Sequence, residues 1–167
     1  MSATLTRAEA EELLAREGHY LDTRQWDAWL DLFTEDVVFW VPAWKSEEQP
    51  TDDPDRELSL VYDVDRAALV DRVWRIRSGM SVASTPLQRT AHQIANVVLA
   101  GSPTDSAAEV RASWSVHVYN PANAKQHVFF GLCEHTLRRE DGAWKIARKK
   151  VLLLNDQIPT VLDVYMI

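Results

Sequence analysis

Cys133-Glu134-His135 places a thiol and an imidazole two residues apart, the one spacing in this chain that resembles a redox-metal motif. C-x-H is half of the ligand pattern of a Rieske two-iron cluster, which needs two thiolates and two imidazoles. The other half requires a second cysteine, and the 167 residues contain one. This chain cannot hold the cluster, and Cys133 reads as a small buried strand residue. His19, His92, His117, His127 and His135 are enough in number for a mononuclear iron or zinc site built from two imidazoles and a carboxylate. No pair has helical i, i+4 spacing, and His127 and His135 would lie roughly 26 Å apart along a strand. A cross-strand pair such as His117 with His127 stays open, but the expectation is that no metal is bound. There is no G-x-S-x-G elbow, Walker loop, dinucleotide G-x-G-x-x-G or helical H-E-x-x-H. Acid–base chemistry is what remains, with Tyr20, Asp36, His92, His117 and Tyr119 as candidates if they converge on one pocket. Otherwise each is a polar residue satisfied at a strand end or an interface.

The elements that would position these groups follow from periodicity. Thr6 and Glu9 form a capping box opening a first helix that runs to about Asp22, with Leu13, Leu14, Tyr20 and Leu21 on one stripe. Trp26, Trp29, Leu30 and Phe33 recur at helical spacing, so a second helix spans Gln25 to Phe33, and the apolar run Val37 to Val41, ended by Pro42, is a buried strand. Residues 43–57 carry two prolines and six carboxylates and read as a long solvated loop. A strand from Glu57 to Val64 precedes a third helix capped by Asp65 and stopped by Gly79, with Leu69, Val70, Val73, Trp74 and Ile76 inward. Arg72, Arg75 and Arg77 on that helix read as a solvated face paired with Asp65 and Asp71. From there the pattern is of long strands: 91–100, then 107–119 with strict alternation, then 125–139 and 143–154 joined by a hairpin at Glu140-Asp141-Gly142. Three helices followed by a meander predict an α+β fold.

Composition narrows the function classes. At 167 residues and 46% hydrophobic content the chain reads as a single domain, 1–167, able to bury roughly two-thirds of its unfolded surface. A net charge of −7 opposes binding to nucleic acid or anionic lipid. A single cysteine suits a reducing cytoplasm, the N-terminus lacks a basic start followed by an apolar stretch, and no apolar run approaches the roughly 20 residues of a membrane span. Seven tryptophans supply a thick aromatic core, with some available for an interface.

The helix-to-strand junction at 25–42, with its tryptophans, Leu-Phe pair and acidic turn, resembles the cone-shaped fold of the nuclear-transport-factor-2-like (NTF2-like, cystatin-like) superfamily, helices packed on a strongly curved mixed or antiparallel sheet. Three further segments, DRVWRIRSG (71–79), STPLQRTAHQIANV (84–97) and LLLNDQIPTVLDVYMI (152–167), resemble the small (beta) subunit of aromatic-ring-hydroxylating dioxygenases of the benzoate, anthranilate and halobenzoate branch. The resemblance implies a non-metal-binding structural subunit serving aromatic compound catabolism. It implies a large (alpha) subunit carrying the Rieske [2Fe-2S] cluster and mononuclear Fe(II), a reductase using NADH, and an alpha3beta3 hexamer whose small subunits form a trimer. Arg72, Arg75, Arg77, Arg89, His92 and Asn96, which lie in these segments, are then expected at subunit interfaces. So are Leu162, Tyr165 and Ile167 of the apolar C-terminal tail, although docking of the tail as an edge strand of its own sheet is the alternative. A cone with an apolar mouth keeps a second function open, that of a free-standing lyase, isomerase or hydratase acting on a small hydrophobic substrate.

Overall fold

The computed structural model describes residues 4–81 and 84–167. Helix α1 (Arg7–Asp22) begins at the expected capping box, where Glu9 N donates to the Thr6 hydroxyl at 3.3 Å and Thr6 N donates to the Glu9 carboxylate at 2.8 Å. Helix α2 (Trp26–Leu30) stops short of the expected end at Phe33. Asp31 and Leu32 turn the chain, Ile146 N donates to the Leu32 carbonyl at 2.8 Å, and Phe33 is already paired with Ile146. Strand β1 is therefore Phe33–Pro42, longer than the apolar run that announced it, because Thr34-Glu35-Asp36 gives its first half a polar disguise. Its register on β6 is broken between Phe33 and Val38.

The acidic loop after β1 is more ordered than its composition suggests. Trp44 bridges to Pro50, its indole N–H donates to the Leu153 carbonyl at 2.8 Å, and buried Thr51 donates to the Leu58 carbonyl at 2.9 Å. The Glu57 carboxylate accepts from the backbone of Asp52 and Asp53, so Glu57 belongs to this loop and strand β2 starts later, at Ser59–Val64. Helix α3 (Arg66–Ser78) has the expected caps: the Asp65 side chain accepts from Ala68 N, and Gly79 takes a left-handed φ of 66°. Leu69, Val73 and Ile76 face inward, but Val70 and Trp74 do not; Trp74 is 59% exposed. The helix touches β1 and β2 along a narrow stripe that leaves the 70–74 side in solvent.

Strands β3 (Arg89–Ala100), β4 (Ala107–Asn120), β5 (Lys125–Glu140) and β6 (Ala143–Leu153) form the predicted meander. Asp141 and Gly142 turn the last hairpin with φ of 50° and 83°, as a two-residue turn of this type requires. The six strands form one open mixed sheet in the order β2-β1-β6-β5-β4-β3, with β1 and β6 parallel and the other neighbours antiparallel. The fold is α+β as expected: α1 lies on β3, α3 on β1 and β2, and α2 between the two helices. The inward parity of β4, from Ala108 through Trp114 to Val118, is buried, while Glu109, Arg111 and His117 are exposed. Among the described residues no helix is long and apolar enough to cross a membrane.

The tail joins this core rather than adding an edge strand. A 3-10 turn at Val164–Met166 buries Val164, Tyr165, Met166 and Ile167. Tyr165 meets Trp26 edge-on at 6.1 Å, and its hydroxyl lies 3.3 Å from the Ser84 hydroxyl.

Candidate functional site

Four ionisable or thiol side chains occupy inward positions where the sequence pattern calls for apolar ones. On α1, Glu17 shares the buried stripe of Leu14, Gly18 and Leu21. On β6, Lys149 alternates inward with Val151 and Leu153, and on β5 Cys133 and His135 share one face. Glu17, Lys149 and His135 are only 3%, 6% and 1% exposed, so each needs a partner. Lys149 Nζ donates to Glu17 Oε1 at 2.7 Å and lies 3.5 Å from the Ile167 carbonyl oxygen, while His135 Nε2 sits 3.6 Å from Glu17 Oε2. Burial pushes the Glu17 carboxyl up, but the Lys149 charge and His135 outweigh it and hold the group down to about 2. Burial pulls His135 down, and its interactions with Cys133 and Glu17 outweigh that and push it up to about 9.

A second network adjoins the first. Asp22, at the end of α1, receives the Thr90 hydroxyl at 2.9 Å, the His92 backbone N–H at 2.8 Å and His92 Nδ1 at 2.5 Å. These bonds pin α1 to β3, and together they outweigh burial and lower the Asp22 pKa. The helix can come this close because residue 18 is glycine: a Cβ there would stand 2.9 Å from the His92 Cβ. Between the networks lies a cavity of about 20 Å³, lined by Glu17, His92, His135 and Lys149 among apolar neighbours that include Ile167. That is space for one water molecule and for nothing the size of an aromatic ring.

The five acid–base candidates do not converge. Only His92 reaches the cavity. Tyr20 is half-buried against the core. Asp36 is exposed and bonded to Arg138, which holds its carboxyl down to about 2. His117 and Tyr119 border an open groove of about 200 Å³ at the far end of β4, with Arg89 stacked 5.7 Å over the Tyr119 ring. His117 and His127 are not cross-strand partners, since His117 pairs with Val128 and His127 with Val118. Glu17 and Lys149 belong to no motif, but the sequence marks them by a charge at the buried phase of a helix and of a strand.

Several of the interface candidates have internal partners. Arg72 forms a two-point ion pair with Asp63, with bonds of 2.5 and 3.2 Å, and Arg77 bonds Asp27 at 2.7 Å. Asp63 and Asp27 thus replace Asp65 and Asp71 as the expected partners. Arg75 is exposed; Asn96 sits at a break in the β3 register with φ of 55° and donates to the Ser113 hydroxyl at 2.8 Å. Leu162 is half-buried, while Tyr165 and Ile167 lie within the chain's own core.

None of this fits a redox-iron centre. The Cys133 thiol donates to the Ala112 carbonyl at 3.6 Å, Glu17 is committed to Lys149, and a Rieske cluster needs a second thiolate that the sequence lacks. Among the described residues no group of three or more His, Cys, Asp or Glu side chains is placed to hold a metal ion.

Comparison with known proteins supplies the family. The model of the ring hydroxylating beta subunit family matches residues 16–160. The chain belongs to that family. The 2-halobenzoate 1,2-dioxygenase small subunit of Burkholderia cepacia is 42% identical over 150 residues, covering 90% of this chain and 89% of that protein. The toluate 1,2-dioxygenase subunit beta of Pseudomonas putida is 38% identical, covering 97% and 98%. The crystal structure of the beta subunit of benzoate 1,2-dioxygenase from Burkholderia mallei superposes with a TM-score of 0.81 at 34% identity, covering 99% of both chains. This beta subunit is one component of an oxidoreductase complex and has an alpha subunit as partner.

Proposed function

We propose that this beta subunit, as one domain spanning 1–167, is a supporting subunit of a dioxygenase for aromatic carboxylates of the benzoate and halobenzoate type, working in the cytoplasm. The observation that carries this reading is that the acid–base candidates of the fold converge on no one pocket. Ligand pockets for small molecules run to roughly 300–1,000 Å³; the cavity at the buried charges measures about 20 Å³, and the cleft of about 290 Å³ beside it, between α1 and β3, is lined by only His92 among those candidates. A lyase, isomerase or hydratase would lack a converging acid–base pair in either space, which disfavours the alternative. The Rieske and mononuclear iron centres belong on the alpha subunit, which would take electrons from NADH through a reductase and perform the ring chemistry.

The outer face of the sheet supports a multi-subunit assembly. Val128, Phe130 and Leu132 alternate outward along β5 and are 40%, 46% and 50% exposed. Leu152 stands opposite Leu132, and Leu154 continues the strip at 37% exposure. A contiguous apolar strip on a soluble protein marks a contact surface. We assign it to contacts between beta subunits within an alpha3beta3 assembly, with Arg75, Arg89 and the exposed Trp74 available to the alpha subunit. The test is expression with and without the alpha subunit. The isolated chain should contain no iron and convert no arene, and the co-expressed complex should oxidise benzoate-type substrates when supplied with a reductase and NADH. Stoichiometric iron or turnover in the isolated chain would overturn the reading.

A further inference from the structure

We propose that the cavity enclosed by α1, β3 and β5 is a binding site for a single internal water molecule that joins His92 to His135. The volume of about 20 Å³ exceeds the roughly 10–15 Å³ that one water needs. Volume alone is not sufficient, because apolar cavities of larger size stay dry. The polar atoms decide the matter. The His92 side chain is 5% exposed, and its Nε2 is buried with no hydrogen-bond partner among the described residues. His135, 1% exposed, has both ring nitrogens outside hydrogen-bond distance of any described group, the Glu17 carboxylate at 3.6 Å being just too far. A buried nitrogen left unsatisfied is costly, and a water is the smallest group that satisfies it.

The bonding pattern of the water follows from the tautomer. Asp22 accepts at 2.5 Å from His92 Nδ1, so a neutral His92 carries its proton there and presents a lone pair at Nε2. The water donates one hydrogen to that lone pair and, with His135 held protonated, accepts from the His135 ring through an oxygen lone pair. Lys149 and the Ile167 carbonyl, which also border the space, complete its coordination. The Asp22–His92 pair on β3 and the Glu17–Lys149–His135 cluster on β5 and β6 then form one hydrogen-bonded network beneath α1. This assignment is independent of the oligomeric and catalytic partners proposed above.

The experiment is a high-resolution crystal structure of the full chain, paired with a bromide soak and with water-to-protein NMR cross-relaxation at the cavity. One ordered peak within about 2.7–3.2 Å of both imidazoles, with no anomalous bromide signal and with cross-relaxation to cavity protons, supports the proposal. An empty cavity, a bromide peak, or a direct His92–His135 bond made by rotated rings would overturn it. His135→Phe should abolish the peak while the Asp22–His92 bond persists; a peak that survives in that variant also overturns it. If the variant does not fold, the unsubstituted chain alone decides.

Discussion

Lys149 has been taken out of water beside one carboxylate, and its removal would leave that carboxylate with no cation in hydrogen-bond reach. Breaking a buried pair from one side costs about 3–5 kcal/mol, whereas replacing both members with matched apolar or neutral groups costs far less. Lys149→Met should therefore lower the unfolding free energy by about 4 kcal/mol, and Glu17→Gln combined with Lys149→Met should recover much of it, as read from urea unfolding. The same cluster sets a pH dependence. The folded chain holds the His135 proton up to about 9, while an unfolded imidazole releases it near 6.5, so this contribution is complete below 6.5 and is lost as pH rises through 9. Glu17, held to about 2 against an ordinary 4.5, contributes above 4.5 and loses that contribution as pH falls through 2. The melting temperature should decline between pH 6.5 and 9, and His135→Gln should flatten that decline. An identical slope in the two proteins would refute the assignment. These residues were legible as anomalies of phase, a charge on the apolar stripe of α1 and another on the inward parity of β6. Their pairing was not, because Glu17 and Lys149 are separated by 132 residues and meet only when the helix lies across the sheet.

Elements whose signals are local were read correctly, and those defined by a distant partner were misjudged. The capping box of α1, the alternation of β4 and the Asp-Gly hairpin each depend on residues a few positions apart. The start of β1 depends on pairing with Ile146, and the outward placement of Trp74 depends on how little of α3 the sheet covers. Gly131 shows how tightly the strands determine one another. A Cβ there would lie 1.9 Å from the Leu152 carbonyl oxygen, which backbone cannot yield without breaking the β5–β6 ladder. Gly131→Ala should cost about 3 kcal/mol, the upper end of ordinary overpacking, measurable by chemical denaturation; a change below about 0.5 kcal/mol would show that the ladder gives way freely. The tail is likewise an element of the core. Deleting residues 164–167 removes four buried side chains, worth roughly 1.5–3 kcal/mol each when fully buried. The isolated chain should then melt far lower even at concentrations too dilute for self-association, whereas a tail that served only as an interface would leave the dilute chain unchanged.

At the scale of the molecule, the fold has two faces with opposite chemistry. The face under the helices has its buried charges paired around a small cavity, and the larger cleft beside it, between α1 and β3, meets only His92 of the acid–base candidates. The outer face carries Phe130 and Leu132 in solvent beside the short side chains of Ser113 and Ser115 across the β4–β5 pair. Burying them within the chain is impossible, because adjacent residues on a strand point to opposite sides and Phe129, Gly131 and Cys133 already occupy the inner one. The free energy available from this strip is therefore realised only against another molecule. Leu132→Lys should change the stability of the dilute chain by no more than about 0.5 kcal/mol, the usual range for an exposed position. The same substitution should shift the sedimentation of the concentrated chain toward the monomer and lower the yield of assembled oxygenase on co-expression with the alpha subunit. A charge at the proposed contact has to be desolvated on assembly, whereas a charge on free surface does not. Unchanged sedimentation and unchanged yield would place the subunit contacts on another face, with the α3 surface around Trp74 the next to test.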